Sequence, residues 1–225
     1  MSRSIVVFGA GKIAEVVSSY LDADPSVSIA AFTTDGEYAT TDRFADRPLV
    51  AFEDVADRFP PDDHEMIIAL GYQSMNDLRA GRADAAEAAG YRLATYVHPN
   101  VDLTPEVTIG PGSFITAGAL IQPRVSIGAN VYVFGGALVG HHSTVGDNCW
   151  LTSHASILGL CTVGANCFLA ANATIANGCT VGDRAFIGAN ALVTRDLDAG
   201  SVVVSGASDV LRVNSDQFLR MSRFR

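Results

Sequence analysis

The sequence predicts an α/β unit with a parallel sheet, followed by a triangular prism of short, stacked parallel strands. Three observations predict it. From Ile109 to Val193 every sixth residue is aliphatic, beginning Ile109, Ile115, Ile121 and ending Val181, Ile187, Val193, with no miss. A longer period of 18 runs through the same stretch: Phe114, Tyr132, Trp150, Phe168 and Phe186 form an aromatic column, and Thr108, Ser126, Thr144, Thr162 and Thr180 a hydroxyl column. Ahead of the repeat, short apolar runs alternate with helical patterns, which is the signature of a parallel α/β unit.

The repeat fixes the second domain. Three hexads close one coil, and like residues stack on like at the parallel-strand spacing of ~4.8 Å. Each coil buries its inward aliphatic residues only against its neighbours, so the array is stable as a stack and not as single repeats. A ladder of mostly small residues accompanies the aliphatic one, as at Ser113, Ala119, Ala155 and Ala173. All four cysteines, Cys149, Cys161, Cys167 and Cys179, lie on that ladder. They read as small buried hydrophobes, and without a C-x-x-C pair they suggest neither a metal site nor a disulfide.

Taken in order, residues 4–8 read as a buried strand. The turn Gly9-Ala10-Gly11-Lys12-Ile13-Ala14 follows and opens a helix to about Leu21; a helix N-terminus after a glycine turn can face an anion. Residues 27–32, 48–52 and 65–70 read as strands, 53–58 as a short helix, and 76–89 as an Ala-rich helix stopped by Gly90. Residues 91–97 read as the last strand of the first domain. The expected domains are 1–97, 98–205 and a tail, 206–225. The hexad register breaks over 195–200, and a strand at 201–204 caps the prism. The tail, with Arg220, Arg223 and Arg225, packs either over the prism end or across a subunit contact.

Composition narrows the function classes. Hydrophobic residues make up 48% and charged residues 17% of the 225, as in a globular chain. The net charge of −9 argues against nucleic acid or an anionic membrane as the main partner, since both need a basic footprint. No apolar run reaches 18 residues, so no membrane insertion is expected. The start runs straight into a strand and lacks the apolar core of a signal peptide, so the expected location is cytoplasmic.

Two of the five histidines stand together. His141 and His142 occupy turn positions at one corner, where the preceding coil has Pro123 and Arg124 and the following coil Gly159 and Leu160. Imidazole is the usual general base near neutral pH; the alternative is a pair of solvated surface histidines. His154, at the next corner, either approaches the site of a neighbouring chain or is a surface residue. His64 and His98 have no supporting context.

The hexad array with Gly140-His141-x-x-x-Val145-Gly146 resembles the left-handed parallel β-helix acyltransferases. With the Rossmann-like unit in front, residues 4 to about 205 are similar to the bacterial sialic-acid O-acetyltransferase-like sugar acetyltransferases. That group includes nucleotide-amino-sugar N-acetyltransferases such as the perosamine and bacillosamine-pathway enzymes. The resemblance implies a homotrimer using acetyl-CoA and no metal, acting on a nucleotide-linked sugar. It makes His141 the catalytic base and Gly159 the backbone contact for the acyl group. Trp150, Ala171 and Ala189 fall where the acetyl-CoA channel is lined. Gly11 and Lys12 match the nucleotide-sugar phosphate loop, Thr34 and Asp35 the end of the second strand near the nucleotide, and Gln73 a base-contacting position. The chain departs from the family at His142, where a carboxylate is common; either another acid orients His141, or the base is weaker, or His142 shares the work. It also departs at the glycine loop and at Gly206-Ala207-Ser208-Asp209.

N-acetylation is favoured because an amine is the better nucleophile and asks less of the base. O-acetylation of a sugar hydroxyl is the alternative. More distant are a zinc-dependent hydratase of the γ-carbonic-anhydrase type, with His141, His142 and His154 as ligands, an NAD-binding protein built on Gly9-x-Gly11-x-x-Ala14 and Asp35, and a non-catalytic scaffold.

Overall fold

The computed structural model describes residues 2–222. The first domain is a six-stranded sheet of β1 (Arg3–Phe8), β2 (Val27–Thr34), β3 (Arg43–Phe44), β4 (Arg47–Ala51), β5 (Glu65–Ile68) and β6 (Arg92–Leu93). Its strand order is β3-β4-β2-β1-β5-β6, and only the β3–β4 hairpin is antiparallel. The helices are α1 (Lys12–Asp22), the short α2 (Val55–Arg58) and α3 (Asp77–Ala88). Val6, Val7 and Phe8 are fully buried, as an interior strand covered on both faces requires. The strand order reverses at β1, with β2 on one side and β5 on the other. That reversal opens a crevice at the carboxyl ends of the strands, where α/β sheets bind ligands.

The stretch 91–97 is not one strand. It divides into β6 and a second pair, Tyr96–Val97, which is hydrogen-bonded to Phe114–Ile115 as the first rung of the prism. Tyr96 stands eighteen residues before Phe114, and their rings stack with centroids 4.9 Å apart. Extension of the coil period thus competes with extension of the α/β sheet and takes the last two residues.

The prism has three faces. The aromatic face has seven strands, from Tyr96–Val97 to Val202–Val203. The hydroxyl face has five, from Thr108–Ile109 to Thr180–Val181, and the leucine face five, from Leu120–Ile121 to Leu192–Val193. Each strand is two residues long. The first side chain points out and the second joins a core that includes Val139, Leu151, Ile157, Val163 and the four cysteines, all of them free thiols. Corner residues such as Asn130, Asn148 and Asn166 adopt φ of 54° to 59°, which asparagine tolerates better than other residues.

The aromatic face is the seat of the first domain. Tyr96, Phe114, Tyr132, Trp150 and Phe168 share one buried cluster with Ile5, Val7, Val17, Leu21 and Ile67. The Tyr132 hydroxyl donates to the Ile68 carbonyl at 2.7 Å. Arg79 of α3 is completely buried. It donates to the carbonyls of Asn130 and Asn148 and to Asn76 Oδ1, and lies 4.9 Å and 5.5 Å from the ring centroids of Tyr132 and Trp150. Burial lowers its guanidinium to about 10, which still leaves it a cation at neutral pH. Asp77 pairs with Arg184 at 2.5 Å. Together these bonds pin α3 to the prism. The tail carries α4 (Ser215–Ser222); Arg223 and Arg225 lie outside the described residues. No helix among the described residues is long and apolar enough to cross a membrane.

Candidate active site

His141 and His142 project from the corner between the leucine and hydroxyl faces, and both are exposed. The coil geometry sets their backbone: His142 sits at φ 58°, and the His141 N–H donates to Gln122 Oε1 at 2.9 Å from the coil before. The Cε1–Nε2 side of the His141 ring lies against the coil after. A Cβ on Gly159 would stand 2.7 Å from its Nε2 and Cε1, so only glycine leaves room for the imidazole there.

The two rings meet edge to face, with Nδ1 to Nδ1 at 3.1 Å. His142 Nε2 lies 3.3 Å from Arg124 Nη1. Nε2 of His141 makes no hydrogen bond among the described residues and is the nitrogen free to take a proton. That role needs the His141 proton on Nδ1, donated to a lone pair on His142 Nδ1. The His142 proton then sits on Nε2, facing Arg124. A guanidinium can only donate, so Arg124 favours the opposite tautomer of the pair. In one tautomer His142 Nδ1 accepts from His141 Nδ1–H, and in the other, which Arg124 favours, it donates to it.

Gly159 lies directly beside His141, one coil on. Its N–H already donates to Asn177 Oδ1 at 2.9 Å, and its carbonyl accepts from Gly178 N–H at 3.0 Å. Its lack of a side chain also leaves space for the His141 ring. Ala171 and Ala189 are exposed at the corner between the aromatic and leucine faces. They stack one coil apart, with the Asn190 N–H donating to the Ala171 carbonyl. Trp150 lies apart from that corner, on the aromatic face. It is 3% exposed and sits between Tyr132, Phe134 and Tyr72, under the first domain. Its column points outward from the coil, and that outward face is the domain seat.

The crevice of the first domain holds a cavity of about 340 Å³ lined by Phe8, Thr34, Asp35, Glu37, Tyr38, Leu70, Leu78 and Arg82. Thr34 and Asp35 are thus brought together there. Asp35 pairs with Arg82 at 2.7 Å. Gly11 precedes α1 as its N-cap, and Lys12 pairs with Glu15 at 2.9 Å; neither lines this cavity, nor does Gln73, which is exposed in the loop after β5. That loop has Ser74, Met75 and Asn76 in succession at φ of 52° to 70°. It places Tyr72 4.2 Å from the Phe168 ring centroid and Asn76 on the carbonyls of Asn166 and Cys167. Sequence reasoning passed over Tyr72, Asn76, Arg79 and Arg124. The Asn130, Asn148, Asn166 column, eighteen residues apart, is the visible trace of the corner that α3 docks on.

Residues 160–195 match the family model of the bacterial transferase hexapeptide (six repeats). No curated protein matches the sequence. Among solved structures, PerB from Caulobacter crescentus, in complex with CoA and GDP-perosamine, is 26% identical. It superposes with a TM-score of 0.79 over 90% of this chain and 97% of that one. A histidine-to-asparagine mutant of perosamine N-acetyltransferase from the same organism, also with CoA and GDP-perosamine, gives 25% identity and a TM-score of 0.80 over 90% and 97%. The acetyltransferase domain of PglB from Neisseria gonorrhoeae, 23% identical over 89% and 96% with a TM-score of 0.78, shares the fold. The architecture is that of an α/β domain followed by a left-handed β-helix of hexapeptide repeats.

Proposed function

We propose that this chain is an acetyl-CoA-dependent acetyltransferase that N-acetylates a nucleotide-linked amino sugar, with His141 as the general base. The observation that carries the reading is the His141 imidazole: exposed at a corner, held by His142, and laid over Gly159 with Nε2 free. The likeness to perosamine N-acetyltransferase along nearly the whole chain supports the substrate class. The acceptor's nucleotide would occupy the crevice at Thr34 and Asp35, with the glycine turn at Gly11 and Lys12 beside it. Acetyl-CoA would run past Ala171 and Ala189, where side chains are small enough to admit a narrow thioester arm.

The amine nitrogen attacks the thioester carbonyl carbon, and its proton passes to His141 Nε2. The tetrahedral intermediate collapses with loss of the C–S bond, and the imidazolium returns the proton to the departing thiolate. The active assembly is a homotrimer with the leucine face inward. Leu120 and Leu192 are 60% and 61% exposed on that face, and apolar strand residues left in water favour burial against further copies. Four free buried thiols suit the reducing cytoplasm.

The test is thiol release from acetyl-CoA with a panel of nucleotide-linked 3- and 4-amino sugars and their hydroxyl counterparts, for wild type and His141→Asn. Turnover with one sugar, lost by about 10²-fold or more in the variant, supports substrate class and base together. Turnover that survives His141→Asn places the base elsewhere. Turnover only with hydroxyl sugars makes the chain an O-acetyltransferase.

A further inference from the structure

The corner between the aromatic and leucine faces is built from residues 116–119, 134–137, 152–155, 170–173 and 188–191. Glycine, alanine, serine, threonine and asparagine dominate it, and His154 is its one ionisable side chain. His154 is exposed and stands at φ 61°. Its ring lies over Gly136 of the coil before, where a Cβ would fall 2.3 Å from Nδ1. His141 leans the other way, over Gly159 of the coil after. The two imidazoles therefore occupy the same layer, between the coil of 126–143 and the coil of 144–161, but on the two corners that flank the leucine face. The corner of His154 also adjoins the sugar domain: Phe134 and Ala170 pack against the same cluster as Ala10 and Ile13 of the glycine turn.

Copies assembled about an axis parallel to the prism keep their heights. With the leucine face inward, the His154 corner of one copy meets the His141 corner of the next, and the two imidazoles arrive level. The acceptor chemistry gives two such groups work. An alkyl amine enters as an ammonium ion and must shed two protons before it leaves as an amide, and one imidazole holds one proton at a time. Building on the acetyl transfer and trimer proposed above, we propose that His154 of the partner subunit is the second catalytic residue, taking the first proton from the acceptor's ammonium group.

In balanced form, R–NH3+ passes one proton to the partner subunit's His154, which becomes an imidazolium. The freed lone pair forms the C–N bond, and the second proton goes to His141 and from there to the sulfur as the C–S bond breaks. His154 of the partner subunit then releases its proton to water. A hydroxyl acceptor sheds only one proton and has no use for this group, so the second histidine is specific to an amine.

Two measurements on the full chain test this. The first is the pH profile of kcat/KM for His154→Asn. The expected result is a loss of ten- to a hundredfold near pH 7 that disappears as the pH reaches the amine's own range, about 8 to 10, because solvent then supplies free amine. The loss in His141→Asn persists at every pH. The second is co-assembly of His141→Asn chains with His154→Asn chains. Random mixing pairs an intact His141 with an intact partner His154 at about one quarter of the interfaces, and near pH 7 activity should rise above the sum of the two parents by that share. A pH-independent loss in His154→Asn, wild-type behaviour at every pH, or mixtures no better than their parents would each overturn the inference while leaving the acetyl transfer intact. A wild type that releases no thiol with any amino sugar would remove the functional reading, and this inference with it.

Discussion

Gly159→Ala separates catalysis from folding in a single methyl group. The new Cβ would stand 2.7 Å from Nε2 and Cε1 of His141, and ordinary contact begins near 3.4 Å. The ring must therefore retreat by about 0.7 Å or more. It can do so at little cost to the fold, because His141 is exposed and the three atoms nearest the added methyl all belong to its imidazole. The φ of Gly159 lies outside the left-handed region, so alanine adds no backbone strain. Catalysis is less forgiving: a displacement of ~1 Å at a reacting group costs about 10²-fold, or about 2.7 kcal/mol of transition-state stabilisation. The assay is kcat/KM by thiol release beside a thermal melt. The expected result is a hundredfold loss with the melting point unmoved. Gly146→Ala is the contrasting control: its Cβ would meet the backbone of Gly164 and Ala165 at 2.7 Å, so it should destabilise by ~1–3 kcal/mol. In the double variant His141→Asn, Gly159→Ala, the second change should cost nothing further, since both act through one ring. A Gly159→Ala enzyme at wild-type rate would refute the placement of the working imidazole over Gly159.

Other expectations follow from the same geometry. Arg124→Glu replaces a donor facing His142 Nε2 with an acceptor, so kcat should rise several-fold, up to about tenfold; an unchanged or lower rate would show that the pair does not set the tautomer of His141. Arg79→Ala leaves the Asn130 and Asn148 carbonyls unpaired beneath α3 and should cost about 2–4 kcal/mol, read as a drop in the chemical-denaturation midpoint, with Arg79→Met milder. Trp150→Phe should lower stability without changing the KM for acetyl-CoA; a raised KM would place Trp150 on the substrate channel. Asp77 is held below its ordinary 3.8 by its hydrogen bond to Arg184. That stabilisation is present above 3.8 and lost as pH falls through the folded value, so the advantage of wild type over Arg184→Met should vanish on acidification.

The prism was legible because its core residues recur every six positions, and a period is visible without any knowledge of contacts. The same period marks the first rung of the prism, since Tyr96 stands one coil before Phe114, although local strand pattern ran 91–97 together as one strand. His141 was visible because its corner is otherwise small or variable. The burial of Trp150 was not legible for a physical reason: repetition shows which residues face outward, not which outward face another domain will cover. Arg79 was silent because it binds backbone carbonyls, and carbonyls leave no residue type to search for. Arg124 became interesting only once its guanidinium was seen beside His142, a pairing eighteen residues apart at a corner where side chains vary freely.

The stacking of coils also makes the protein a ruler. The first domain grips the aromatic face at fixed coils, through Tyr132, Trp150 and the carbonyls beside them, and His141 belongs to one particular layer. The height of the imidazole relative to the crevice of the first domain is therefore set by the coils that the domain grips, in steps of one strand spacing, ~4.8 Å. Tyr132 and Trp150 stand in the two coils that bound the histidine layer, so eighteen residues inserted there would part the two rings that Arg79 spans. The same insertion beyond Val193 would lengthen the prism and leave crevice and imidazole at their present heights.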